Sequence, residues 1–351
     1  MKHAPTTALL LLAAASGCAS VHRAIDEAAL KSKVDLVLKL PPIPARRPLP
    51  FSDEASLEAA TRPTPVDFAV EPLTAHRLER EHLVQERWSF DSQLAVRHPV
   101  SNRAVLYVYR AGPLGERPVV LWVPGFAVDD GAFTLLNRFL LQAVDQGADV
   151  VFVVPPYHLD RTPQGHASGD ALLATDAADH FTALAQGLSD LRRTLKHVRS
   201  LEPPSVGAFA GSMGAATLLR AVSFDGGLDF ATLFVPVVSW EDMVFETPLM
   251  EPVRQQLRDA GLADAEARAM YRALDATSRP PPRRVRISIV AARHDQVARW
   301  PALDRLISAW RLREPTWLER GHADALLTPK LYTTYARQLA DDLGAVQARA
   351  R

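Results

Sequence analysis

Short, mainly apolar runs alternate with amphipathic stretches over most of this chain. Val119-Val120-Leu121-Trp122-Val123 contains no polar position and predicts a strand buried on both faces. Val150–Val154, the run from Val206, Ala231–Val235 and Val285–Ala291 predict further strands, and Pro315–Leu318 a shorter one. Trp88–Leu94 and Ala104–Tyr109 predict two antiparallel strands leading into this set. Helical spacing separates the runs. Leu136, Leu140, Ala143 and Val144 share one face behind the capping candidates Asp129 and Asp130, and Gly147 ends that helix. Leu184, Leu188, Leu191, Leu195 and Val198 form a longer stripe. A closing helix is expected from Pro329, with Thr328 as its cap. Apolar strands separated by amphipathic helices imply the α/β class, with a mainly parallel sheet covered on both sides.

Two stretches depart from this rhythm. About fifty residues separate Ala231–Val235 from Val285–Ala291, more than one crossover helix needs. Helices near Leu249–Asp259 and Asp264–Leu274, with Pro280-Pro281-Pro282, make residues 240–282 a candidate lid or a pair of surface helices. Residues 18–84 are broken by Pro41, Pro42, Pro44, Pro48, Pro50, Pro63 and Pro65. They are expected to form a tether with one helix around Val21–Leu40, or else a cover over the main domain at 85–345.

Composition sharpens the picture at the N-terminus. Ala8–Ala15 is an apolar core too short to span a bilayer, and Ser16-Gly17 precedes Cys18, the sole cysteine. Residues 1–17 resemble a bacterial lipoprotein signal, in which Cys18 would be acylated, although Ala15 stands where leucine is usual. The alternative is an ordinary secretory signal. Either implies export, and Ala19 after an acylated Cys18 resembles the outer-membrane sorting class, on the periplasmic face. No later run is long and apolar enough to cross a membrane. Forty basic and forty acidic residues cancel, which gives no support to a nucleic-acid partner. Phosphate-binding glycine motifs are absent from the sequence, so no nucleotide or other cofactor is expected.

Candidate chemistry centres on Ala210-Gly211-Ser212-Met213-Gly214, between a buried strand and a helix-forming stretch. A serine flanked by small residues at a sharp strand-to-helix turn is lifted clear of the sheet above a helix N-terminus. Such a serine needs a base, and the base needs an orienting acid. His322 follows the last strand, and Asp295 follows the one before it. The order Ser212, Asp295, His322, each at the C-terminal end of a strand, resembles the α/β-hydrolase fold over roughly residues 85–345. That resemblance implies a nucleophile at Ser212, a general base at His322 and an orienting acid at Asp295. It also implies an oxyanion hole from the backbone N–H groups of Phe126 and Met213, although Pro124 replaces the usual histidine in Pro124-Gly125.

Other assignments remain open at this stage. Asp324, Glu241 or Asp242 could be the acid, and Ser212 could be only a helix cap. Tyr157, His158 and Arg161 leave a strand at the same rim and could line a cleft. Asp176, Asp179 and His180 share a helical face, but a partly buried histidine explains them as well as a metal does, so no metal is expected. The expected function is a serine hydrolase acting on a small-molecule or lipid acyl ester, esterase- or lipase-like. Acyltransferase or amidase chemistry would use the same residues, and a silent binding module at the envelope is the non-catalytic alternative.

Overall fold

The computed structural model describes residues 19–37, 48–173, 177–277, 279–328 and 332–350. Nine strands form one sheet: β1 (Ala69–Pro72), β2 (Val84–Asp91), β3 (Arg103–Arg110), β4 (Val119–Val123), β5 (Asp149–Val154), β6 (Val206–Gly211), β7 (Phe230–Phe234), β8 (Arg286–Ala292) and β9 (Thr316–Leu318). Their spatial order is β1-β2-β3-β5-β4-β6-β7-β8-β9. The first four in that order pair antiparallel, and from β5 to β9 every pairing is parallel. Every residue of β4, β5, β6 and β7 is buried, as expected of mainly apolar runs when helices cover both faces.

Most strands fall within a residue or so of their apolar runs. β2 is the exception, starting at Val84 rather than Trp88, because its whole length from Val84 to Asp91 pairs with β3. It lies one strand in from the sheet edge, and its polar residues Gln85, Glu86 and Arg87 are ones an apolar pattern cannot register. The helix Asp130–Asp145 is capped by Asp129, whose side chain accepts the Ala132 N–H, and Gly147 follows it at φ 88°. Pro329 lies outside the described residues. A short helix, His322–Leu327, precedes the closing helix Tyr332–Ala350.

Where it is described, the segment before the main domain folds onto that domain. Ala69–Pro72 adds an edge strand, where a proline costs no ladder bond. Glu54–Ala60 is a helix with a capping box: the Ser56 N–H donates to Asp53 Oδ1 at 2.8 Å and the Asp53 N–H to Ser56 Oγ at 3.0 Å. Arg279, just after the helices of the candidate lid, bonds both Glu54 and Glu58 of that helix. The N-terminal helix, Ala19–Val37, packs against His322–Leu327 and the turn Pro248–Met250. Residues 1–18, including Cys18, lie outside the described residues, and among the described ones no helix is long and apolar enough to cross a membrane.

Two glycines show opposite packing demands. A Cβ on Gly214 would stand 2.2 Å from the Val123 carbonyl oxygen and 2.4 Å from that of Pro124, both rigid backbone atoms. One on Gly344, in the closing helix, would meet nothing within 4 Å. Gly214→Ala is therefore expected to cost ~3 kcal/mol or more. Gly344→Ala should stabilise by about 0.5–1 kcal/mol. Thermal unfolding of both variants checks the pair, and equal effects would contradict this packing.

Candidate active site

Ser212 directly follows β6 and opens the helix Ser212–Asp225 at φ 47°. A non-glycine residue there carries strain of about 1–3 kcal/mol, which only close surroundings maintain. The surroundings are close: Gly214 rests on the carbonyls of Val123 and Pro124, and a Cβ on Gly125 would stand 3.0 Å from Ser212 Cβ. β4 and β6 are therefore pressed together beneath the turn. The turn aims Ser212 Oγ at His322 Nε2, 2.8 Å away.

His322 begins the short helix after β9, and Asp295 lies in the loop after β8. His322 Nδ1 is 2.7 Å from Asp295 Oδ2. A carboxylate only accepts, so Nδ1 carries the proton and the Nε2 lone pair faces the serine hydroxyl. The other oxygen, Asp295 Oδ1, accepts the backbone N–H groups of Val297 and Ala298 at 2.8 and 2.6 Å, which fixes the carboxylate in place. Burial alone would push the His322 pKa down. The charge and hydrogen bond of Asp295, with the charge of Asp26, outweigh it and hold the imidazole above its ordinary value. The other carboxylates considered for the acid point elsewhere. Asp324 pairs with His22 and accepts the Gly321 N–H, Glu241 pairs with Arg268, and Asp242 with Arg305.

Phe126 and Met213 border the cavity beside Ser212. Met213 lies in the first turn of its helix, where N–H groups lack an intrahelical acceptor. The adjoining Ala127 N–H is already engaged, donating to His158 Nε2 at 2.9 Å. This corrects the cleft reading of Tyr157, His158 and Arg161. All three are fully buried and none borders the cavity at Ser212. His158 braces the Phe126–Ala127 loop from behind, with Nδ1 donating to the Pro156 carbonyl. The Tyr157 hydroxyl donates to Asp179, and Arg161 pairs with buried Asp190 at 3.0 Å. The loop turns inward at Tyr157 and Leu159, both at positive φ, so its polar groups find partners in the core. Asp179 also accepts the Arg97 N–H, whereas His180 bonds Leu172 and Tyr271; the two side chains serve separate networks. Asp176 lies outside the described residues, and among those described no cluster could hold a metal.

A cavity of about 300 Å³ opens from Ser212 and His322. Its walls are mainly apolar, with Val237, Trp240, Met243, Val244, Met250 and Val253 prominent, so part of the candidate lid borders the cavity at Ser212. Asp26 and Ala29 of the N-terminal helix also line it. Neither residue carried a signal in the sequence, because a helix in a proline-broken segment gives no hint of where it docks. The lid's first helix, Trp240–Glu246, is held at its start by Asp275, which accepts the Ser239 hydroxyl and the Trp240 N–H, each at 2.6 Å. Burial pushes the Asp275 carboxyl up to about 7.

No family model and no curated protein matches the chain. Solved structures do. An acetyl xylan esterase from Paenibacillus sp. R4 matches with a TM-score of 0.58 and 14% identity, over 87% of this chain and 98% of that one. Acetyl xylan esterase 1 from Thermoanaerobacterium sp. JW/SL YS485 matches at 0.60 and 13% identity, over 87% and 98%. An S-formylglutathione hydrolase from Agrobacterium tumefaciens gives 0.50 and 14%, over 82% and 100%. The likeness is one of fold, and the fold is that of the α/β-hydrolases.

Asp275 generates a stability test. With its folded pKa raised above the unfolded value, the folded protein holds a proton that the unfolded chain has released at intermediate pH. Its contribution is therefore greatest at low pH and is lost as pH rises through about 7. Urea unfolding of wild type and Asp275→Asn at several pH values should show wild type losing stability relative to the variant over that interval. Parallel curves would contradict the assignment.

Proposed function

We propose that this protein is a serine esterase that cleaves carboxylic esters with an apolar acyl group through an acyl-Ser212 intermediate. The observation that carries the reading is the hydrogen-bonded line from Asp295 through His322 to Ser212, ending in an apolar cavity. Ester chemistry also agrees with the names of the acetyl xylan esterases that share the fold.

In the first step Ser212 Oγ bonds to the ester carbonyl carbon, the carbonyl electron pair moves onto oxygen, and the hydroxyl proton passes to His322 Nε2. Asp295 stabilises the resulting imidazolium through Nδ1. The N–H groups of Phe126 and Met213 receive the oxyanion, and losing one such donor typically costs ~10²–10³ in turnover. Collapse breaks the bond to the leaving alcohol, which takes the proton from Nε2. Water then repeats the sequence and releases the acid. The apolar walls bind the acyl chain, each buried methylene contributing about 0.8 kcal/mol. A lipid anchor at Cys18 would hold this site at a membrane of the cell envelope, near acyl substrates.

A series of p-nitrophenyl esters tests the enzyme. kcat/KM should rise with acyl length until the cavity fills and then fall, and Ser212→Ala and His322→Ala should each lower kcat by several orders of magnitude. Because the base acts unprotonated, the acid limb of kcat/KM should lie above the ordinary imidazole pKa. Full activity in Ser212→Ala would overturn the reading. The anchor has its own test: Cys18→Ser should move the protein from the membrane fraction to the soluble one, and unchanged fractionation would remove it.

A further inference from the structure

The reaction scheme leaves one buried carboxylate beside the base unused. Asp26, on the N-terminal helix, is 1% exposed. Its Oδ2 accepts the backbone N–H of His322 at 2.7 Å and that of Gln296 at 3.1 Å, and its Oδ1 accepts the Ala323 N–H at 2.8 Å. Gln296 directly follows Asp295, so one carboxylate ties the loop of the acid to the loop of the base. The chain makes room for this contact. A Cβ on Gly321 would stand 2.7 Å from Asp26 Oδ1 and 2.8 Å from the His22 carbonyl oxygen. One turn earlier on the same helix, His22 Nδ1 meets Asp324 Oδ2 at 2.5 Å, a second clasp between the same two helices.

Resting on the esterase reading, we infer that Asp26 is a positioning residue for the reaction: it locks the His322 and Asp295 loops in register and keeps a second negative charge beside the imidazolium. Three donors converge on it, a geometry in which an ionised acceptor forms stronger bonds than a neutral one. An asparagine would keep the shape, but its amide group would confront N–H donors. Among the described residues, the groups nearest the imidazole are Asp295 from the β8 loop, Ser212 from the turn after β6 and Asp26; His22, on the helix of Asp26, bonds Asp324 and stacks on His294. Burial and the charge of Asp295 raise the Asp26 pKa, while its bonds around His322 oppose the rise.

The test compares wild type, Asp26→Asn and Ile25→Ala in the full chain, with p-nitrophenyl butyrate as substrate. Ile25 is a buried neighbour on the same helix, so its truncation loosens packing and leaves the carboxylate in place. Asp26→Asn should lower kcat by about tenfold to a hundredfold, the scale of a small misplacement of a catalytic group, with a much smaller change in KM. Its acid limb should move to lower pH, because a charge that favours the imidazolium is gone. Ile25→Ala should lower the melting temperature while keeping kcat within about twofold of wild type and the limb in place. Wild-type kcat in Asp26→Asn, or the same kinetic loss in Ile25→Ala, would overturn the inference. If Asp26→Asn does not fold, Gly321→Ala displaces the same carboxylate, and wild-type kinetics there would overturn it equally. Failure of the esterase reading is distinguishable, since wild type itself would then show no turnover dependent on Ser212, and this inference would fall with it.

Discussion

Every distance at the site depends on how closely β4 and β6 approach beneath Ser212. Gly214 lies against the carbonyls of Val123 and Pro124, with no space for a side chain. That contact fixes the turn at which Ser212 holds φ 47°, and the turn sets where Oγ points. The same strand end delivers Phe126 to the cavity wall, so Ser212 and the Phe126–Ala127 loop share one foundation. Because the pairing from β5 to β9 is parallel, the loops carrying Asp295 and His322 leave the sheet at this rim too.

Around this rigid base the molecule adds layers that contribute shape and polarity. The helices of residues 240–274 supply apolar walls, and the N-terminal helix closes the remaining side with a carboxylate turned towards the His322 loop. Polar groups gather at the Ser212 end of the cavity, with the His180–Tyr271 pair, already bonded to each other, along the wall. Such a partition suits a ligand with one polar reactive bond and an apolar remainder. Behind the Phe126–Ala127 loop, His158 directs both ring nitrogens to backbone groups, so it holds that loop in place.

The parallel strands were legible because burial on both faces leaves mainly apolar runs, a pattern independent of tertiary detail. Ser212, Asp295 and His322 were legible from their places at strand ends, and the structure brings all three within hydrogen-bond distance. Edge strand Ala69–Pro72 was not, since all four residues are exposed and one is proline. Tyr157, His158 and Arg161 misled for a different reason. A polar cluster leaving a strand reads as cleft-facing, but positive φ at Tyr157 and Leu159 turns it into the core. The docking of Asp26 had no local signal at all, because its partners lie about three hundred residues away in the chain.

The account stands on Ser212 being the atom that takes the acyl group. Trapping the full-length protein with a fluorophosphonate, followed by peptide mapping of the adduct, addresses that point directly. The account predicts a single stoichiometric adduct on the peptide carrying Ser212, formed more slowly when His322 is replaced. An adduct on another residue, or none in the folded protein, would contradict it.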